Sequence, residues 1–176
     1  RMPVVAIVNP KGGVGKTTLA TNLAGYYAST GRRTMLGDFD QQQSARHWLR
    51  LRPAGVKPIE TWEMNGDIAR PPRGVTHVVL DTAAQIGGKR LSEVVRVADR
   101  IVVPLQPSMF DVMATQQFLQ ELRAVFGNDR RFQDTVGIVG HRRGGGLLLL
   151  LRLFVLAGGF LVALTVSGIP LDRIAI

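Results

Sequence analysis

The 176-residue chain predicts an α/β fold: a mostly parallel sheet covered by helices on both faces, in three layers. Two observations carry this. Short apolar, β-branched runs recur along the chain and read as buried strands. Between them lie segments whose apolar residues fall at helical spacing. Strands that alternate with helices are joined by crossovers, which makes the sheet parallel. The length suits one domain, 1–176, with room for a core, and a 45% hydrophobic composition argues against disorder.

The elements follow in order. VVAIVN (Val4–Asn9) is the first strand and ends in a glycine-rich turn. Residues 16–30 form the first helix, with Leu19, Leu23 and Tyr26/Tyr27 at helical spacing, and Gly31 stops it. TMLGDF (Thr34–Phe39) is a second strand ending in acidic residues. Ser44–Leu51 reads as a short helix with Ser44 as N-cap. Residues 53–74, with Pro53, Pro58, Pro71 and Pro72, read as a surface excursion. HVVL (His77–Leu80) is a third strand, closed by Asp81. Lys89–Asp99 is a helix and Ile101–Leu105 a strand. Asp111–Phe126 is a helix with Asp111 as N-cap and Leu119, Leu122 and Phe126 on one face. Thr135–Gly140 is the last strand.

After Gly140 the pattern breaks. Residues 141–166 hold no acidic residue and are mostly Leu, Gly, Val and Arg. Residues 147–166 carry one charge, Arg152, and are long enough to span a membrane. Three readings compete: a membrane segment, a very apolar buried strand and helix, or a stretch encoded in a shifted reading frame. The third carries most weight, because the first would leave the parallel sheet without its last strand and helix. Met2 reads as the natural start, with no basic-then-apolar leader before the first strand.

Composition narrows the chemistry. There is no cysteine, which removes disulfides, thiolate metal sites, a cysteine nucleophile and a cysteine-ligated iron–sulfur cluster, and fits a reducing compartment. The net charge is +9, and residues 1–140 alone hold 18 basic against 12 acidic residues, a net +6. A basic surface suits a polyanion such as DNA. Arg46, Arg50 and Arg52 form a basic helical cluster, by default a solvated face and on the sharper reading a DNA contact. Arg142 and Arg143 could meet DNA phosphates. His47, His77 and His141 lack metal-ligand spacing. Trp48 and Trp62 read as packing or interface residues.

The chemistry concentrates in Gly-Gly-Val-Gly-Lys-Thr-Thr, residues 12–18, between a strand and a helix. That is the setting a phosphate cradle requires. Glycines let backbone N–H groups turn inward, and the following helix adds the positive end of its dipole. Gly12, Gly13, Val14 and Gly15 supply backbone; Lys16 reaches the β- and γ-phosphates; Thr17 can ligate Mg²⁺ and Thr18 can reach the α-phosphate. The strict pattern G-x-x-x-x-G-K-[ST] fails at its first glycine, where Pro10 stands. A second lysine, Lys11, opens this variant loop.

KGGVGKTT resembles the deviant Walker A loop of the ParA/MinD family of P-loop ATPases. DFDQQ (Asp38–Gln42) is similar to that family's acidic motif after the second strand, and VVLDTAA (Val78–Ala84) to its Walker B segment. VVPLQPSMFD (Val102–Asp111) resembles a strand-and-loop segment of the plasmid-partition branch, including the small ParF-like proteins. The likeness covers residues 2 to about 140. It implies a P-loop NTPase fold with ATP and Mg²⁺ as cofactors. It casts Lys11 as the signature lysine that crosses to phosphates bound by a second subunit, so that ATP holds a homodimer together. Lys11, Lys16 and Asp40 become the catalytic set, Asp40 orienting the attacking water. Thr17, Asp38 and Asp81 become the Mg²⁺ set, Asp81 through water. Asp111 takes a dimer-face role. Gln41 stands where the family has proline, which leaves the aim of Asp40 open.

The function implied is a slow, partner-stimulated ATPase that binds DNA non-specifically. It would position a plasmid, chromosome or protein cargo with a ParB-like adaptor, in the bacterial cytoplasm on the nucleoid. Alternatives are a MinD-like membrane-cycling ATPase, an ATP-using synthetase of similar fold, and a non-catalytic ATP-gated scaffold. Membrane association is disfavoured because residues 147–166 are apolar all round rather than amphipathic. Family members also run longer than this chain, which implies further C-terminal helices.

Overall fold

The computed structural model describes residues 2–40, 42–62 and 73–140, together with the backbone of 152–156 and 159–163. Six strands form one sheet: β1 Val4–Ile7, β2 Thr34–Asp38, β3 Ile59–Trp62, β4 His77–Asp81, β5 Arg100–Leu105 and β6 Val136–Gly140. Their order is β3-β2-β4-β1-β5-β6, and every pairing is parallel. Five helices connect them: α1 Lys16–Ser29, α2 Ser44–Arg50, α3 Gly88–Val97, α4 Met109–Phe126 and α5 Asp129–Thr135.

The three layers follow from period-two alternation along the central strands. In β1, Val5 and Ile7 join α1 and α2 in one apolar cluster, while Val4 and Ala6 join α3, α4 and α5 in the other. β4 divides likewise, with Val79 on the first side and Val78 and Leu80 on the second. Both faces are therefore buried, as continuous β-branched runs require.

Several boundaries differ from the sequence expectation, each for a local reason. The buried stripe of α1 is Ala20, Ala24 and Ala28, with Leu19, Leu23 and Tyr27 flanking it, partly buried. Small residues at i, i+4 and i+8 let the helix sit close on the sheet. Gly31 ends the helix as expected, its N–H donating to the Ala28 carbonyl at 3.0 Å. Ser44 is the first helical residue of α2 rather than its cap. Gln43 caps it in a left-handed conformation (φ 50°), and Asp38 Oδ2 accepts from the Arg46 N–H at 3.1 Å. The cap of α4 is Ser108, not Asp111: the Ser108 hydroxyl accepts from the Asp111 N–H at 3.2 Å. Phe118, rather than Leu119, shares the buried stripe with Leu122 and Phe126.

The excursion at 53–74 contains β3, whose Trp62 is buried at the sheet edge, and α5 precedes β6, where only a strand was expected. Residues 63–72 lie outside the described residues, as do His141, Arg142, Arg143 and much of the 147–166 run. Within that run the described backbone is an antiparallel hairpin, β7 Arg152–Leu156 and β8 Gly159–Ala163. No described helix is long and apolar enough to cross a membrane.

Gly37 shows how tightly β2 is packed. A methyl group there would lie 2.9 Å from Leu80 Cδ2 and 3.3 Å from the Trp62 ring. Both neighbours are buried, so neither can yield freely. Gly37→Ala is expected to cost about 1–3 kcal/mol of stability, read from the midpoint of urea unfolding with an unchanged slope.

Candidate functional site

The glycine-rich turn leaves the C-terminal end of β1 and enters α1. Gly13 and Gly15 hold φ of 73° and 88°, the left-handed region that costs side-chain-bearing residues free energy. Val14 between them is buried and pins the turn to the core. Asn9 starts the loop: its side-chain amide donates to the Pro104 carbonyl at 2.9 Å, and its Oδ1 accepts from the Lys11 N–H at 2.9 Å. The Gln85 N–H donates to the Pro10 carbonyl at 2.7 Å, and Gln106 Nε2 donates to the Gly13 carbonyl at 2.8 Å. Pro10, at the failed first glycine of the strict pattern, is thus accommodated as an acceptor.

Lys16, at the first position of α1, is buried, and its ammonium donates to the Lys11 carbonyl at 2.8 Å across the mouth of the loop. Burial pulls its pKa below the ordinary lysine value, opposed by the carboxylates of Asp81 and Asp40. Thr17 and Thr18 follow on the same turn of α1.

Strand register assembles the acidic residues. Asp81 ends β4 opposite Ile7 on one side and Asp38 on the other. It is buried at 1% exposure, and neither carboxylate oxygen has a hydrogen-bond partner. Burial pushes its pKa up to about 7. The Thr17 hydroxyl and the Lys16 ammonium work in the opposite direction, while Asp38 and Asp40 reinforce the rise. The Thr17 hydroxyl stands close enough to favour the charged form without reaching hydrogen-bond geometry. Its neighbour Thr82 is satisfied, donating to the Ile7 carbonyl at 2.8 Å.

Asp38 is occupied structurally. Its Oδ1 accepts from the Asp40 N–H at 2.9 Å while its Oδ2 holds the start of α2. Asp40 Oδ1 accepts from the Gln42 N–H at 3.0 Å, leaving its carboxylate half-exposed near Lys16. Gln41 lies outside the described residues. Among the described residues no three His, Cys, Asp or Glu side chains converge as a metal site.

Lys11 is placed unexpectedly. Within the single chain its ammonium pairs with Asp111 in the first turn of α4, and Asp111 also accepts from the Ser108 hydroxyl. Lys11 and Ser108 together hold the Asp111 carboxyl below the usual carboxylate range. Asp111 is buried, while Lys11 remains partly exposed. Beside it the apolar residues Met109, Phe110 and Met113 are exposed at 74%, 80% and 59%.

Among the remaining candidates, Arg52, Arg46 and His77 make contacts within the chain. Arg52 lies over the Trp48 ring at 5.0 Å and donates to the Lys57 carbonyl at 2.6 Å; Arg46 donates to Gln43 Oε1 at 3.3 Å. His77 packs against Tyr27 with the rings tilted at 45° and 4.6 Å between centroids, and burial lowers its pKa. Sequence reasoning passed over Asn9 and Gln106. Asn9 is visible as a polar residue ending an apolar strand, whereas nothing local marks Gln106.

Residues 5–152 match the CobQ/CobB/MinD/ParA nucleotide binding domain. The chain belongs to this family. ATP and Mg²⁺ are the family's cofactors. The residues present fit them, because an orphaned buried carboxylate beside Thr17 and a phosphate loop suits a hard cation that takes its other ligands from phosphate and water. Among relatives, the chain is 38% identical over 112 residues to the maintenance of carboxysome distribution protein A of Gloeobacter kilaueensis, covering 62% of this chain and 51% of that one. The chain thus spans about half the length of the curated relative it matches.

Two solved structures share the family fold. One is pNOB8 ParA bound to nonspecific DNA, at TM-score 0.60 and 19% identity, covering 84% of this chain and 70% of that one. The other is the MinD cell division protein of Aquifex aeolicus, at TM-score 0.62 and 17% identity, covering 81% and 70%.

The raised pKa of Asp81 makes a signed prediction. A carboxyl whose folded pKa lies above its unfolded value weakens the fold as pH rises between about 4 and 7, because the native state then holds more protons than the unfolded one. Asp81→Asn removes that penalty. The nucleotide-free variant is expected to be more stable than wild type at pH 8, by on the order of a few kcal/mol, with the difference vanishing near pH 4. Added Mg²⁺ and nucleotide should raise the melting temperature of the wild type more than that of the variant. Thermal melts across pH and Mg²⁺ concentration measure both.

Proposed function

We propose that this family member binds Mg·ATP, pairs with a second copy of itself around the nucleotide, and hydrolyses ATP to position a cargo on DNA. The observation that carries the reading is the position of Lys11, at the mouth of the phosphate loop but turned onto Asp111. A lysine serving its own phosphates need not be held there by a carboxylate. A lysine that crosses to a partner must be held somewhere until the partner arrives. Pairing exchanges the Asp111 contact for the terminal phosphoryl of the other subunit, where a second ammonium stabilises charge on the transferring group. The exposed Met109, Phe110 and Met113 beside Asp111 supply apolar surface that such pairing would cover.

Within each site Lys16 and the loop amides hold the phosphates. Thr17 and Asp81 hold Mg²⁺, which neutralises phosphate charge. Asp38 acts through the loop it organises, and Asp40, half-exposed beside Lys16, orients water. Loss of the γ-phosphate on hydrolysis removes what Lys11 crosses to, so the pair separates. The slow basal rate, the ParB-like stimulating partner and nucleoid association belong to this reading. DNA contact is supported by the net charge of +6 over residues 1–140, 18 basic against 12 acidic. The relationship to a carboxysome-distribution protein favours cargo positioning over an ATP-using synthetase or a membrane-cycling ATPase.

Light scattering with a non-cleavable ATP analogue and Mg²⁺ tests the central step. Wild type should double in mass. Lys11→Ala should stay single and lose about a hundredfold or more of its ATPase rate. Single chains of wild type at every concentration would refute the reading. In the pairing state, DNA affinity should fall linearly in log–log form with salt, since released counterions drive phosphate binding. Retention on anionic liposomes instead of DNA would favour the membrane-cycling alternative.

A further inference from the structure

We infer that Gln106 is a positioning residue for the phosphate loop, acting through the peptide that joins Gly13 to Val14. This rests on the reading of the loop as a nucleotide site. Five of the hydrogen bonds that fix the loop lie near its ends. Asn9 ties its start to Pro104 and to the Lys11 N–H, Gln85 holds Pro10, Lys16 holds the Lys11 carbonyl, and the Leu19 N–H holds the Gly15 carbonyl from α1. The apex, Gly12–Gly13, has one described side-chain bond, from Gln106 Nε2 to the Gly13 carbonyl at 2.8 Å.

The peptide after Gly13 turns on Gly13 ψ, which no Cβ restricts, and on Val14 φ, which a buried β-branched residue keeps negative, so it can rock about its present orientation but not turn over. In a planar trans peptide the carbonyl and the N–H point in opposite directions. A donor that holds the Gly13 carbonyl on the β5 side therefore also fixes the direction of the Val14 N–H, opposite to that carbonyl.

Gln106 is itself prearranged for this. It follows β5 directly, its own carbonyl accepts from the Ser108 N–H at 2.8 Å, and Pro107 disfavours a helical backbone at the residue before it. The same short connection ends in Ser108, the cap of α4, whose first turn carries the Asp111 partner of Lys11. The connection and the turn that follows it thus hold both the apex of the loop and its signature lysine.

The test uses the full chain with Gln106→Leu, which keeps bulk without a donor, and Gln106→Asn, which is one methylene too short to reach. Affinity for a fluorescent ADP with Mg²⁺ and the melting temperature of nucleotide-free protein are measured for each. The expected result is ADP affinity at least threefold weaker, and up to about tenfold for one hydrogen bond, with the nucleotide-free melting temperature unchanged. A loss below threefold in both variants overturns the inference. So does a loss matched by a fall in melting temperature, since that marks general packing. Wild-type protein that binds no ADP would instead remove the nucleotide reading on which the inference stands.

Discussion

A carboxylate buried without a hydrogen-bond partner is costly in any small domain, and the arrangement around Asp81 depends on tolerating one. Desolvation drives its pKa to about 7, so at neutral pH the group is poised between charged and neutral forms. Among the described residues the Thr17 hydroxyl and the Lys16 ammonium relieve this only in part. Lys16 is close enough to help but spends its ammonium on the Lys11 carbonyl, and Asp38 spends both oxygens on backbone N–H groups. A cation bridging Asp81 to a polyphosphate would supply the missing charge. The site is thus a reservoir of unfavourable electrostatics that ligand binding discharges, which is one physical route to strong coupling between occupancy and stability.

Around that carboxylate the stretch from the end of β5 to the first turn of α4 is a second organising centre. It touches the phosphate loop at Asn9 through Pro104 in β5, at Gly13 through Gln106 in the connection and at Lys11 through Asp111 in α4. These contacts join segments about a hundred residues apart in the chain, with separations of 95, 93 and 100 positions. The first turn of α4 therefore contacts the loop directly, and Met109, Phe110 and Met113 are exposed beside that contact.

Much of this was legible early because local chemistry demanded it. The alternation of apolar runs and helical patterns set the layered fold, and the phosphate loop needed only its own residues and flanks. Most of what escaped was non-local or weakly patterned. β3 is a four-residue edge strand with one buried side chain among prolines, too short for period-two alternation to show. The buried stripe of α1 is alanine, whose modest hydrophobicity is outweighed in sequence by neighbouring leucines that turn out to flank the contact. Ser108 rather than Asp111 caps α4, and the Ser-x-x-Asp spacing from Ser108 to Asp111 is a local signature of a helix start that the reading of Asp111 as cap passed over.

The amino-acid sequence by itself determined that this chain makes a parallel α/β sheet with a phosphate loop after its first strand, because strand periodicity, glycine conformational freedom and helix polarity act over a few residues at a time. Only the tertiary structure decided the strand order that sets Asp81 between Ile7 and Asp38, the capture of Lys11 by Asp111 and the reach of Gln106 to Gly13. Those depend on which strands become neighbours, and in a parallel sheet neighbours are chosen by the packing of crossover helices, not by any adjacent stretch of chain.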